Sequence, residues 1–164
     1  MKFVPSRGRV VVVDFELGGK QDPPEMDGTM RPCVVVQNNA MERGRLITVV
    51  PLSTTAPHMP GRQHHLMDHR SFREWPLNWG GQGTPRWAKC DYIATISLER
   101  CVDPYTRDPY GNRKYRKVKI IAADLLAIEK CILWAMGIAP TLHIQPEVAA
   151  ASPEAQPPQE SSSE

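Results

Sequence analysis

The sequence predicts a mainly β domain closed by one C-terminal helix, and three observations support this. Apolar, largely β-branched runs recur at short spacing, at residues 9–15, 33–37 and 46–52. No helical pattern separates them, which favours a compact antiparallel barrel or sandwich. A clear period of three to four residues appears only late, from 123 to 136, where Gly137 follows as a C-terminal cap.

The first three strands are bounded by turn-forming residues. The run RVVVVDF at 9–15 leads into a long loop, GGKQDPPEMDGTM, rich in Gly, Pro and Asp. The second strand follows Pro32. The third contains Pro51, which has no N–H to donate, so we expect a strand end or a sheet edge there.

Downstream elements are less regular. Residues 57–86 show no clear period, and only a short strand near residues 64–67 is predicted. Residues 87–97 alternate like one strand, which places Lys89 and Asp91 on the same face. The DPYG sequence at 108–111 predicts the turn of a hairpin.

Composition predicts one domain over residues 1–138 and a disordered tail over 139–164. Residues 1–138 carry all 20 Lys and Arg, whereas the Pro- and Ser-rich tail carries four Glu and no basic residue. No apolar run approaches the roughly 20 residues of a membrane span, and no export signal is recognisable. The four scattered cysteines predict reduced core thiols and a cytoplasmic protein.

Several short motifs occur in an order that resembles the PemK/MazF family of type II toxin–antitoxin endoribonucleases. They are the strand at 8–15, Glu25 and Gly28 in the loop, Arg31 with Pro32, VPLST at 50–54, KCD at 89–91, and the helix ending at Gly137. Together they span about 130 residues.

This resemblance implies an SH3-like β-barrel of the MazF, PemK and CcdB type with a C-terminal helix, usually as a homodimer. It also implies metal-independent, sequence-selective cleavage of single-stranded RNA, without a cofactor. Attack by the 2′-hydroxyl would leave a 2′,3′-cyclic phosphate, or its opened 3′-phosphate, and a 5′-hydroxyl. A cognate antitoxin would neutralise the protein, and DNA would be contacted only through the antitoxin complex.

Metal-free RNA cleavage needs a base for the 2′-hydroxyl, a cation for the phosphorane charge and an acid for the leaving oxygen. The resemblance assigns Arg31 to the phosphate and Ser53 to a hydrogen bond with it, and Thr54 is an alternative hydroxyl. It assigns Asp91 as base, Lys89 as supporting cation and Glu25 as the acidic loop residue. The alternative is that these residues have only structural roles. Arg31 would then pair with Glu25 or Asp27 at the strand entry, and Ser53 would form a turn.

Aromatic and basic side chains interleave between residues 105 and 119, as in single-strand binders. The predicted RNA-binding residues are Thr54, Tyr110, Arg113, Lys114, Arg116 and Lys117. A solvated hairpin is the alternative. The HHxxDH run at 64–69 lacks an established ligand spacing, so no metal site is predicted.

A second class of function remains open from the sequence. The same barrel also carries non-catalytic toxins, so the alternatives are an RNA-binding protein or a CcdB-like poison of a protein target. Residues 57–86, with Trp75 and Trp79, either shape base selection or the antitoxin interface, or only cover the end of the barrel.

Overall fold

The computed structural model describes residues 4–17, 20–21, 30–41, 44–76, 80–81 and 83–138. The predicted tail and the loop carrying Glu25 lie outside these residues. The elements are β1 (Val10–Asp14), β2 (Glu16–Leu17), β3 (Lys20–Gln21), β4 (Met30–Val35), β5 (Leu46–Ser53), β6 (His64–Leu66), β7 (Trp87–Lys89), β8 (Ala94–Ser97), β9 (Cys101–Val102), β10 (Tyr105–Arg107), β11 (Arg113–Tyr115) and α1 (Ala122–Ala135).

The strands form a mainly antiparallel sheet in the order β6-β7-β5-β4-β1-β9, and β8 also pairs with β5. Two small ribbons, β2-β3 and β10-β11, stand apart from this path. The predicted mainly β architecture with a C-terminal helix is therefore confirmed. No helix in the described ranges is long and apolar enough to cross a membrane.

The expectation that Pro51 marks a strand end or an edge is wrong, because β5 is central and Pro51 pairs in register with Cys33 of β4. Thr48 directs its N–H and carbonyl toward the end of β4. Since successive residues alternate in direction, the Pro51 nitrogen points to the opposite side. There, β8 pairing has ended at Val49 and β7 pairing starts at Leu52, so the missing N–H removes no ladder bond.

The prediction of one strand over residues 87–97 is also wrong. β7 and β8 both run antiparallel to β5, but the 3₁₀ turn Cys90–Tyr92 separates them. Cys90 is buried at this turn, and its N–H bonds to the Gln63 carbonyl. Lys89 therefore ends a strand and Asp91 lies on a turn, so simple alternation does not relate them.

Hydrophobic clusters cover both faces of the sheet, which explains why Val10–Asp14 begins with four buried valines. One cluster lies beneath α1 and includes Val10, Val34, Val50, Leu52, Trp75, Ala88 and Ile128. The other, on the opposite face, includes Val11, Val13, Phe15, Cys33, Val35, Ile47 and Val49.

The helix and the hairpin match their predictions. Gly137 ends α1 with φ +69°, a left-handed conformation that favours glycine. Asp108 accepts the N–H groups of Tyr110 and Asn112 at the tip of the hairpin. All four cysteines are free thiols, as expected. Burial raises the pKa of Cys101 to about 11 and raises that of Cys33 as well, so these thiols stay protonated and are poor nucleophiles.

Candidate functional site

A pocket of about 530 Å³ opens where β4 begins and β5 ends. We call it the Arg31 pocket. Its lining residues are Met30, Arg31, Pro32, Leu52, Ser53, Thr54, Thr55, Gly80, Thr84 and Arg86. Arg31, Ser53 and Thr54, which the sequence singled out, thus line one pocket. Gly80, Thr84 and Arg86 form its opposite wall.

Arg31 and Ser53 lie at the adjoining ends of β4 and β5. Cys33 and Pro51 are the last paired residues of these strands, and Arg31 and Ser53 each lie two residues beyond that pair. Side chains two residues apart on a strand share a face. Both side chains line the Arg31 pocket, so the guanidinium and the hydroxyl face the same ligand volume.

Arg31 is half-buried, and its Nε atom is buried without a hydrogen-bond partner among the described residues. A buried donor left without a partner is unfavourable by about 1–3 kcal/mol, and more when the group is charged. An anion in the Arg31 pocket would satisfy it. The proposed pairing with Glu25 or Asp27 involves residues outside the described ranges.

Ser53 is buried, and its Oγ accepts the N–H of Thr55 at 3.2 Å. The serine turn that was the alternative reading is therefore present. It does not exclude function, because the oxygen accepts this bond and the hydroxyl proton is left to donate to another group. Thr54 is exposed at the rim of the pocket.

Arg86 forms the far wall of the Arg31 pocket, and sequence reasoning missed it. Only 2% of it is exposed, and its guanidinium lies 4.6 Å from the Phe72 ring centroid and 5.0 Å from that of Trp75. It donates to the carbonyls of Thr84 at 2.8 Å and Gly81 at 2.9 Å. Burial lowers the pKa of Arg86. Nothing local in the Gly- and Pro-rich sequence signals this role.

The Lys89 and Asp91 pair lies outside the Arg31 pocket. Trp87 pairs with Ser53, so Lys89, two residues further along β7, shares the Ser53 face but lies diagonal to it. Asp91 lies on the following turn, where its Oδ2 is 3.6 Å from Nε2 of His64. The structure therefore brings Lys89 near the predicted site and leaves Asp91 beyond its rim.

The other predicted RNA-binding residues, Tyr110, Arg113, Lys114, Arg116 and Lys117, belong to the β10-β11 hairpin and its exit. All are exposed, and none lines the Arg31 pocket. The Arg113 guanidinium lies 4.6 Å from the Tyr105 ring centroid. The hairpin follows β9, which pairs with β1 on the far side of β4 from β5.

The histidine run has a structural role. Nε2 of His65 lies 2.8 Å from Oδ1 of Asp124, a buried α1 residue that also accepts the Ser71 hydroxyl. These bonds tie β6 and the following 3₁₀ turn to α1. Hydrogen bonds from Arg70 lower the pKa of the Asp68 carboxyl to about 2. Among the described residues, no three His, Cys, Asp or Glu side chains are grouped to hold a metal ion.

Fold and pocket together define a small, mainly antiparallel protein with a pocket lined by two arginines, Arg31 and Arg86, at the ends of two central strands. The family described as "PemK-like, MazF-like toxin of type II toxin-antitoxin system" matches residues 6–126. The chain belongs to this family, which confirms the resemblance drawn from its motifs. No match was found among curated proteins.

Solved structures share the fold. An endoribonuclease from a Mycobacterial species, in complex with its cognate antitoxin, is 20% identical with a TM-score of 0.51, covering 83% of this chain and 98% of that one. MazF of Deinococcus radiodurans is 14% identical with a TM-score of 0.52, covering 83% and 99%. MazE–MazF from the same organism is 14% identical with a TM-score of 0.51, covering 84% and 100%.

Proposed function

We propose that this protein is a toxin endoribonuclease that cleaves single-stranded RNA with sequence selectivity and without a metal ion. The observation that carries the proposal is that Arg31 and Ser53 line one pocket at the adjoining ends of β4 and β5, where Arg31 Nε lacks a partner among the described residues. A phosphodiester fits this donor set, because the guanidinium supplies charge and the serine supplies a neutral hydrogen bond.

The proposed reaction is an in-line displacement on phosphorus. A base removes the 2′-hydroxyl proton, the 2′-oxygen bonds to phosphorus, and the bond to the 5′-oxygen breaks as that oxygen is protonated. The products are a 2′,3′-cyclic phosphate, or its hydrolysed 3′-phosphate, and a 5′-hydroxyl. Arg31 and Ser53 hold the charge that grows on the non-bridging oxygens.

Proton transfer is assigned on the family pattern to Asp91 as base, Lys89 as supporting cation and Glu25 as the loop acid. Lys89 lies on the same face of the sheet as Ser53, which supports its role as the supporting cation. Asp91 lies on the turn after β7 and does not line the pocket, whereas a base must reach the 2′-hydroxyl next to the phosphate held by Arg31. Its assignment as base therefore rests on the family pattern alone. Glu25 falls outside the described residues.

The proposal extends to assembly and partners. The matched structures of a mycobacterial endoribonuclease with its antitoxin, and of MazE with MazF, support a cognate antitoxin as partner. We also propose that the sheet closes into an SH3-like barrel and that the protein is a cytoplasmic homodimer. It would contact DNA only through the antitoxin complex. The domain of residues 1–138 and the disordered tail of 139–164 also stay predictions.

The test is incubation of the antitoxin-free full chain with a mixed single-stranded RNA in EDTA. We expect cleavage with 5′-hydroxyl ends, and a loss of about 100- to 1,000-fold for Arg31→Ala because fixed charge stabilisation is removed. Arg31→Lys keeps the charge without the planar fork and should recover only part of the rate. Arg45→Ala, an exposed arginine paired with Glu99 at 3.3 Å, is the matched control.

Two results would contradict the proposal. Intact RNA with folded wild-type protein would favour a non-catalytic RNA binder or a CcdB-like poison. Cleavage that persists in Arg31→Ala and stops in EDTA would require a metal ion and a different site.

A further inference from the structure

The Arg31 pocket continues into an ordered row of side chains across four strands. Ser53 pairs with Trp87 of β7, and Trp87 pairs with Leu66 of β6. Arg31 lines the same pocket as Ser53, so the row reads Arg31, Ser53, Trp87, Leu66. The paired residues Ser53, Trp87 and Leu66 are neighbours at roughly 5 Å between Cβ atoms.

Burial shows that this row lies on one face of the sheet. Leu52 and Ala88, which alternate with Ser53 and Trp87, are buried in the cluster beneath α1. Their neighbours therefore point away from α1. Trp87 is partly buried and Leu66 is exposed, so the row presents apolar surface beside the pocket.

A second row runs parallel to the first. Lys89 of β7 pairs with His64 of β6 and lies two residues beyond Trp87, on the same face of the sheet. The two rows are two residues, or roughly 6.6 Å, apart along the strands. A cation thus follows the indole at a spacing suited to one nucleotide step of an extended strand.

We propose that Trp87 is the stacking surface for the base of the nucleotide next to the phosphate held by Arg31, with Lys89 facing the following phosphate. An indole has a broad π-face that every base can stack on, and such platforms beside cations are how proteins hold single-stranded nucleic acids. The inference rests on the proposed ribonuclease function.

The experiment measures binding of a fluorescein-labelled 2′-O-methyl RNA of mixed sequence, which lacks the attacking hydroxyl and stays intact. Full-length wild-type protein is compared with Trp87→Leu, Trp87→Phe and Trp134→Phe. Trp134 lies on α1 and is 46% exposed, so it is a matched tryptophan away from the row. Thermal unfolding of each variant shows that it is folded.

We expect Trp87→Leu to weaken binding about tenfold or more, and Trp87→Phe to stay within about threefold because a phenyl ring still stacks. Quenching of tryptophan emission by the RNA should be retained in Trp134→Phe and lost in Trp87→Phe. Binding of Trp87→Leu within about twofold of wild type, or quenching that persists in Trp87→Phe, overturns the inference.

Cleavage of ordinary RNA separates this inference from the function on which it rests. If wild type cleaves and Trp87→Leu cleaves with an unchanged KM, the Trp87 subsite is wrong and the ribonuclease stands. If wild type does not cleave but binding still depends on Trp87, the subsite stands on a non-catalytic RNA binder.

Discussion

The Arg31 pocket and the β10-β11 hairpin both carry cations, in opposite settings. Arg31 is half-buried on a central strand and lines one pocket with Ser53. The hairpin holds more positive charge, but its side chains are exposed, and Tyr110 at its tip is 90% exposed. The difference teaches that charge density alone does not locate the candidate site in this protein.

The physical consequence is a difference in what each region can contribute. Cations in water are screened within about 10 Å at ordinary salt, and they attract a polyanion without fixing its position. Donors held on paired strands keep their direction before the ligand arrives, so they stabilise a transition state without further ordering. We therefore expect the pocket to control the rate of cleavage and the hairpin to control only affinity.

After Arg31→Ala, removing the Ser53 hydroxyl should produce the largest difference between the two regions. Ser53→Ala is expected to lower kcat about 100-fold, because one fixed donor to the phosphorane is lost. Ser53→Thr keeps the hydroxyl and should retain most of the rate. Single-turnover cleavage of RNA measures the effect, with Thr54→Ala as the adjacent control.

A drop of similar size in Thr54→Ala, with Ser53→Ala near wild type, would move the hydroxyl role to Thr54. Both residues line the pocket, but Ser53 is buried whereas Thr54 is exposed at the rim. The comparison thus tests which hydroxyl contacts the phosphate.

Substitution of Arg86 should destabilise the wall of the Arg31 pocket that this residue forms. Arg86→Met fills most of the volume but leaves the carbonyls of Thr84 and Gly81 without these donors. We expect a stability loss of about 1–3 kcal/mol by thermal or urea unfolding, and a rise of roughly tenfold in KM from a loosened wall. Arg62→Met, an exposed arginine on a turn, should change neither. An unaltered KM in a destabilised Arg86→Met would limit Arg86 to the core.

Sequence patterns predicted the elements whose signals are local. Three strands, the hairpin at DPYG and the helix ending at Gly137 each depend on residues within one segment. Arg31 and Ser53 could be chosen because each belongs to a short motif at a strand end. Their meeting in one pocket could not be derived from the motifs, since it depends on the pairing of β4 with β5.

The missed features depend on contacts between distant segments. Pro51 is tolerated in the central strand β5 because, along one edge of β5, pairing with β8 ends at Val49 and pairing with β7 begins at Leu52. Asp124 is buried in a helix because His65 and Ser71 come from another part of the chain to bond with it. Arg86 is buried because Phe72 and Trp75 provide aromatic faces. The structural propensities of a local sequence segment do not specify which distant residues will contact it.

Neutralising the hairpin should have the smallest effect on catalysis. For the triple substitution Lys114→Gln, Arg116→Gln and Lys117→Gln, we expect kcat within about twofold of wild type and weaker RNA binding at low salt. Each phosphate contact contributes about 0.7 to the slope of log affinity against log salt for single strands, so the slope should fall by roughly 2 if all three cations bind phosphate. Lys130→Gln on α1 is the control. A large loss of kcat, with the salt dependence unchanged, would place the hairpin in the reaction and remove the distinction between the two regions.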